Sequence, residues 1–243
     1  MEIFENFTIY QYQTLSSTNS FAKEQIKNHQ IKPNCVILAD SQTGGRGRMD
    51  RSWSSPEGNL YFSLVLKSPK SIAQNSELSF ATAVAVLEAI SKFSQDKNIQ
   101  KEIKLKWPND ILINGSKVSG ILLESDGEFI IIGIGININS NPQNTSYPTS
   151  NLENEGFLNI SKIELLKEFL KSFAELHQKW NYFGFEPIRN SWIKNAFNLH
   201  KEINVNLPNK SLKGVFEDLD KNGNLVLNVD NQNVLISSGE IFS

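Results

Sequence analysis

The chain has 243 residues, 39% of them hydrophobic, and its 24 lysines and arginines against 26 acidic residues leave a formal net charge of −2. That is an ordinary soluble composition, long enough for one large domain, or for a main domain with a small appendage, around a real core. The charge balance excludes a global positive field that would draw in DNA, RNA or anionic lipid, so nucleic acid is disfavoured as the main partner and any basic site must be local.

The N-terminus, MEIFENFTIY, has no basic segment followed by an apolar one, and no stretch approaches the roughly 18 apolar residues of a membrane span. The expectation is a cytoplasmic protein without membrane contact, in which a sequon such as that of Asn6, Phe7 and Thr8 is irrelevant. Phe7 to Gln13 reads as a short strand, and Ser17, Thr18 and Asn19 are placed to cap a helix running to about Asn28. Cys35 to Asp40 and Asn59 to Leu66 read as strands. Cys35 is the single cysteine, so no disulfide forms within the chain, and its apolar run predicts a buried structural thiol. From Ile72 to Lys97 the small and apolar residues, among them Phe80, Val84, Leu87 and Phe93, predict one long buried helix.

Three strands follow, Ile103 to Trp107, Asp110 to Asn114 and Lys117 to Glu124, with Asn114 and Gly115 making a hairpin turn. Phe129 to Ile138 is so rich in isoleucine that a central strand covered on both faces is predicted. Its Gly133 and Gly135 form a lone GxG without a third glycine or a following helix, which is not a dinucleotide fingerprint. Asn139 to Asn159, rich in Asn, Ser, Pro and Thr, predicts a long surface connection. Ile160 to Phe183 predicts an amphipathic helix with Leu166, Leu170, Phe173, Leu176 and Trp180 near one stripe, and Glu186 to Asn198 a further helix. His29, His177 and His200 lack ligand spacing, which argues against a protein-built metal site. After Leu199 short strands alternate with turns at Pro208 and Asn209 and at Asn222 and Gly223, the texture of a small β-barrel too short to stand alone.

Two stretches carry chemistry. Ser41 to Trp53, SQTGGRGRMDRSW, sets three glycines and three arginines in one loop. Glycine frees the backbone to present successive N–H groups to an anion, and arginine adds fixed forks of donors that match phosphate or carboxylate oxygens. Taken alone, the loop reads equally as a solvated turn or an RGG-like RNA contact. The second stretch, Lys106 to Gly120, KWPNDILINGSKVSG, shifts that balance.

Together with the earlier SSTN and the later GIGININ, these motifs resemble, in order and spacing, the biotin–protein ligases, also called biotin–[acetyl-CoA-carboxylase] ligases, from about Tyr10 to the C-terminal GEI. The pairing of GRGR with KWPND, and with a lysine seven residues beyond, carries the resemblance. The resemblance implies an α/β (α+β) fold: a biotinyl/lipoyl-ligase-like catalytic domain of the class II aminoacyl-tRNA-synthetase type over residues 1–199, with a mixed sheet and flanking helices, and an SH3-like β-barrel over 200–243. It also implies a two-step reaction. Biotin and ATP, carried with Mg2+, give biotinoyl-5′-AMP and pyrophosphate, and the acyl group then passes to one lysine of a biotin carboxyl carrier protein domain.

The same resemblance assigns roles. Lys117 bridges the biotin carboxylate and the α-phosphate, and Arg48 holds that junction and the pyrophosphate. Ser17, Thr18 and Asn19 face the ureido ring while also capping a helix, Gln42 and the backbone of Gly45, Arg46 and Gly47 wrap the biotin, and Gly120 leaves room beside its bicyclic ring. Asn109 and Asn137 resemble adenine or phosphate contacts, and Lys106 and Asp110 frame the phosphates, Asp110 either as a magnesium contact or as a structural turn. Arg51 and Trp53 end a loop expected to be disordered without ligand and to close on the adenylate, excluding the water that destroys a mixed anhydride. Asp50 stands where the family usually has glycine, which puts loop closure and adenylate retention in question. Because the pattern starts within the first twenty residues, the resemblance is to the short, monofunctional form without an N-terminal DNA-binding domain. Rival expectations are a lipoate ligase or octanoyltransferase of similar fold, and a single-strand binding module using Arg46, Arg48, Arg51 and Trp53. An exposed sheet edge would serve a homodimer or acceptor docking.

Overall fold

The computed structural model describes residues 2–68, 70–94 and 102–242. The chain opens with a hairpin absent from the sequence expectations: strand β1 (Glu2–Phe4) pairs with β2 (Phe7–Leu15) across Glu5 and Asn6, both at positive φ. Helix α1 (Thr18–Lys27) is capped by Ser17, whose side chain accepts from the Ser20 N–H, and crosses to β3 (Cys35–Gln42), which lies parallel to β2. The arginine loop connects β3 to the antiparallel β4 (Leu60–Lys67).

In place of one helix from Ile72 there are two, α2 (Ile72–Ser76) and α3 (Leu78–Ser91). A capping box of Ser71 and Gln74 starts the first, and at the junction the bonding tightens, with the Glu77 N–H donating to the Gln74 carbonyl and the Phe80 N–H to that of Glu77. The predicted tail at 95–97 lies outside the described residues. A meander of β5 (Ile103–Lys106), β6 (Asp110–Ile113), β7 (Ser116–Asp126) and β8 (Phe129–Ile136) brings the chain back to β4, giving one mixed sheet in the order β1-β2-β3-β4-β8-β7-β6-β5.

Helix α4 (Lys162–Phe183) buries the expected stripe, and α5 (Glu186–Lys194) ends four residues early. Its early end has a cause at the sheet edge. The Leu105 N–H donates to the Asn195 carbonyl and the Phe197 N–H to that of Leu105, so residues 195–197 leave the helix to close part of the β5 edge. The connection from 139 to 159 is more than surface, since Leu152 and Phe157 are buried and its Pro148 and Ser150 bracket the Lys117 backbone.

Strand pairing sorts the side chains into two faces. One face, with Val36, Leu38, Phe62, Leu64, Ile132 and Ile134, packs under α3 and α4 in the main core. The opposite face is narrower: Cys35, Ile37, Val65 and Ile131 pack with Ala22 and Ile26 of α1. Burial there pushes the Cys35 thiol up to about 12, the condition of an inert structural cysteine. Along the same face, rows set by register continue past α1 as Tyr61 and Ser63, Gly133 and Gly135, and Leu122 and Gly120. With two adjacent strands reduced to glycine there, this face holds a depression instead of a core.

The last strands, β9 (Glu202–Leu207), β10 (Lys210–Leu219), β11 (Leu225–Val229), β12 (Gln232–Ile236) and β13 (Glu240–Phe242), form a separate antiparallel sheet ordered β12-β11-β10-β9-β13. Its buried residues join the main core, as so short a segment requires. Phe80 packs edge-on to Phe185 and Trp192, the buried Trp107 indole N–H donates to the Gly223 carbonyl at 3.1 Å, and a Cβ on Gly223 would stand 2.6 Å from the Phe80 ring.

Candidate active site

The depression is roofed by the arginine loop. Its base is tied by an isolated bridge between Arg46 and Ser52 and by the Trp53 N–H donating to the Gly45 carbonyl at 2.8 Å, which swings the Trp53 indole onto the glycine floor. A Cβ on Gly135 would lie 2.5 Å from that ring and one on Gly120 2.8 Å from it, while a Cβ on Gly133 would lie 2.5 Å from the Asn19 amide oxygen. The GxG of β8 is therefore a track for close approach. At the loop tip Met49 and Asp50 both adopt positive φ, 53° and 56°. Asp50 is exposed there, in a conformation that glycine takes freely and aspartate tolerates, and it does not line the cleft.

Of the residues singled out by sequence, Ser17, Thr18, Asn19, Gln42, Arg46, Gly47, Arg48, Arg51, Trp53, Asn109, Asp110, Lys117 and Gly120 all line this one cleft. Lys106 lines an adjoining cavity shared with Arg48, Arg51, Asn109 and Asp110. Gly45 sits behind the loop, where a Cβ would meet the Trp53 carbonyl oxygen at 2.4 Å. Asn137 is buried away from the cleft, donating to the Ser150 carbonyl at 3.0 Å with its own amide oxygen unpartnered within the protein.

Lys117 stands near the start of β7 with its side chain 13% exposed. Its ammonium lies 2.7 Å from Asp110 Oδ1 and 5.3 and 5.2 Å from the Trp53 and Tyr147 ring centres. Asn109 lies between the loop and β7, donating to the Ile121 carbonyl at 2.7 Å and accepting from Arg48 Nη1 at 3.2 Å. Gln42 accepts from the Thr18 N–H at 2.8 Å and donates to Ser55 Oγ at 2.8 Å, so it braces the α1 turn against the loop. Burial pulls the Arg48 guanidinium below its usual value and Arg51 pulls the same way, while Asp110 and Glu240 oppose them. Lys106 is also lowered, by burial first and by Lys117 and Arg51, against the opposing charges of Asp110 and Glu240. Across the two cavities five cations face two carboxylates, a local positive excess within a chain of net charge −2.

Besides the floor glycines Gly133 and Gly135, sequence reasoning missed four contributors that come from elsewhere in the chain. Glu240 of β13 reaches the cleft from the C-terminal sheet and pairs with Arg51. Tyr147 comes from the connection read as surface, Ser55 anchors Gln42, and Glu124 holds Arg46 from outside the cleft lining. A tyrosine and a glutamate in ordinary surroundings carry no local signal, and only the strand register brings them to the loop.

A family model described as the biotin/lipoate A/B protein ligase family matches residues 10–141, and one described as the biotin protein ligase C terminal domain matches residues 199–243. A biotin–[acetyl-CoA-carboxylase] ligase of Paracoccus denitrificans is 32% identical over 85% of this chain and 89% of its own length. The bifunctional ligase/repressor BirA of Bacillus subtilis is 32% identical over 99% of this chain and 75% of its own. The biotin protein ligase from Aquifex aeolicus in complex with biotin and ATP is similar in structure at a TM-score of 0.84, with 27% identity and 97% of each chain covered.

Proposed function

Because the chain belongs to the biotin/lipoate A/B protein ligase family, we propose that it activates biotin with MgATP to biotinoyl-5′-AMP, releasing pyrophosphate, and then transfers the acyl group to a lysine of a biotin carboxyl carrier domain. The observation that carries this reading is the cleft itself, a glycine floor under an arginine loop with Lys117 and Arg48 on one side and the Ser17–Asn19 turn lining the same space.

In the first step a carboxylate attacks the α-phosphorus and the bond to pyrophosphate breaks. Two anions that approach to about 3 Å repel strongly unless cations stand ready between them, and fixed cations in a dry cleft act without reorganising at the moment of reaction. Lys117 is the cation for the attacking carboxylate and the α-phosphate, held in place by Asp110 and by its own strand. Arg48, steadied by Asn109, serves the same junction and the leaving pyrophosphate, with Lys106 and Arg51 behind it. In the second step a lysine amine attacks the acyl carbonyl and AMP leaves, and the loop keeps water out until then. Residues 1–199 are read as the catalytic domain and 200–243 as a C-terminal domain that contributes Glu240. The absence of DNA from the reaction and a cytoplasmic location are further parts of the proposal, supported by the net charge of −2 and by the lack, among the described residues, of any helix long and apolar enough to cross a membrane.

The second step is tested directly by offering the purified protein biotin, MgATP and the carrier domain of an acetyl-CoA carboxylase, and probing with streptavidin. One biotin on the acceptor lysine is expected, and none on a carrier with that lysine changed to arginine. Label spread evenly over both carriers would contradict a specific transfer.

Two substitutions follow from the geometry. Gly135→Ala puts a methyl into the Trp53 ring and is expected to raise the KM for biotin by about tenfold, the scale of ~1–3 kcal/mol for overpacking; an unchanged KM would mean that the floor is not used. Lys106 loses its charge as pH rises through a value below the usual lysine range, so the KM for ATP should climb on the alkaline side. Lys106→Arg stays charged and should move that climb to higher pH, whereas superimposable profiles would assign it to another group.

A further inference from the structure

Near the end of β7 stands a carboxylate with three donors. Glu124 is 18% exposed and faces the α1 side of the sheet, opposite Ile131. Its Oε1 accepts from Lys23 Nζ at 2.6 Å, and its Oε2 accepts from Asn19 Nδ2 at 2.8 Å and Arg46 Nη2 at 2.7 Å. Asn19 also donates to the Leu122 carbonyl at 3.2 Å, and its amide oxygen accepts from Ser63 Oγ at 2.5 Å, so it is fixed to the floor on two sides. Asn19 and Arg46 line the cleft and Glu124 does not.

The three donors come from the first and second turns of α1 and from the arginine loop, two segments that Gln42 joins at the opposite end of the loop through the Thr18 N–H and Ser55. A single carboxylate with charge-assisted bonds to all of them couples their positions. Burial alone would raise its pKa, yet the bonds from Lys23 and Asn19 and the charges of Arg46 and Lys23 outweigh burial and hold it below the ordinary glutamate value. It is ionised at neutral pH. Arg46 is also the residue whose backbone bridges Ser52, so fixing its side chain fixes the base of the loop.

We infer that Glu124 is a positioning residue for the reaction, a latch that holds the arginine loop against the α1 turn and so shapes the end of the cleft where Asn19 and Arg46 meet. The assignment of that end to biotin rests on the function proposed above. Glu124 lies outside the cleft lining and acts through its partners.

Glu124→Gln tests the latch, because glutamine still accepts from Asn19 but offers no charge to Lys23 and Arg46. In the protein without substrates, tryptic cleavage after Arg46, Arg48 and Arg51 should accelerate by about tenfold, as expected for loss of a partly buried charge-assisted contact, with cleavage elsewhere and the melting temperature little changed. Arg46→Gln, which removes the first of these cleavage sites, should open the loop similarly as read at Arg48 and Arg51, and the double variant should open it no further at those two sites. In biotin-dependent pyrophosphate exchange the KM for biotin should rise by about tenfold while kcat stays within about twofold, a split that a general loss of structure does not produce. Loop cleavage at the wild-type rate overturns the latch, and faster cleavage with an unchanged KM for biotin overturns the positioning role. A wild-type protein without biotin-dependent exchange strikes instead at the proposed function and leaves the cleavage comparison to decide on the latch.

Discussion

Lys117→Ala is expected to reduce biotin-dependent ATP–pyrophosphate exchange by a thousandfold or more, about 4 kcal/mol of transition-state stabilisation, the scale of a preorganised charge in a dry site. The loss comes from two directions. The cation that offsets repulsion between carboxylate and phosphate is gone, and Asp110, 2.7 Å from the ammonium in the wild type, is left as a carboxylate in the same cleft. The fold should survive, because Asp110 still has Arg48 and Lys106 as neighbouring cations and the Lys117 backbone remains held by Pro148 and Ser150. A stability cost of about 1–2 kcal/mol is expected. Measured exchange together with a melting curve checks both halves. Exchange within tenfold of the wild type would remove Lys117 from the chemistry, and a collapsed melting transition would make its role structural.

The second large effect concerns the intermediate. Arg48→Gly removes the guanidinium that Asn109 steadies and adds backbone freedom inside a loop tied at Arg46 and Ser52. A charged hydrogen bond at a phosphate is worth about 2–3 kcal/mol, so release of biotinoyl-5′-AMP should accelerate by about a hundredfold. Free adenylate acylates any exposed amine it meets. The variant should therefore biotinylate bystander lysines on an added protein such as serum albumin, visible on a streptavidin blot, while exchange falls less than for Lys117→Ala. A variant that labels the bystander no more than the parent does would contradict retention by Arg48.

The sequence singles out both residues because they lie in or beside local motifs, and the structure brings them to one cleft. GRGR and KWPND each put several functional groups within a few residues; composition alone leaves the first open between an anion loop and a solvated turn, and the second motif shifts that balance. The long periodic elements were legible for a related reason: the isoleucines of β8 and the stripe of α4 report burial directly. What failed was whatever a distant partner decides. Glu124 pairs with Arg46 across a separation of 78 residues, and Glu240 reaches Arg51 from the last strand. The end of α5 is set by Leu105, which withdraws residues 195–197 from the helix. Gly133 and Gly135 carried a signal that was read only for what it was not. Two glycines on one face of a central strand mark a place where something must approach closely, and Asn19 and Trp53 are what approaches. The short β1 hairpin was hidden because three residues show no periodicity.

Adenylation of biotin is the step on which the chemistry of this cleft turns, and ATP–pyrophosphate exchange measures that step alone. The purified protein should be run with biotin, lipoate and octanoate at equal concentration. Exchange is predicted with biotin and at no more than background with the other two. Exchange with lipoate or octanoate in place of biotin would keep the fold and the chemistry but contradict the substrate, and no exchange with any acid would contradict adenylation itself.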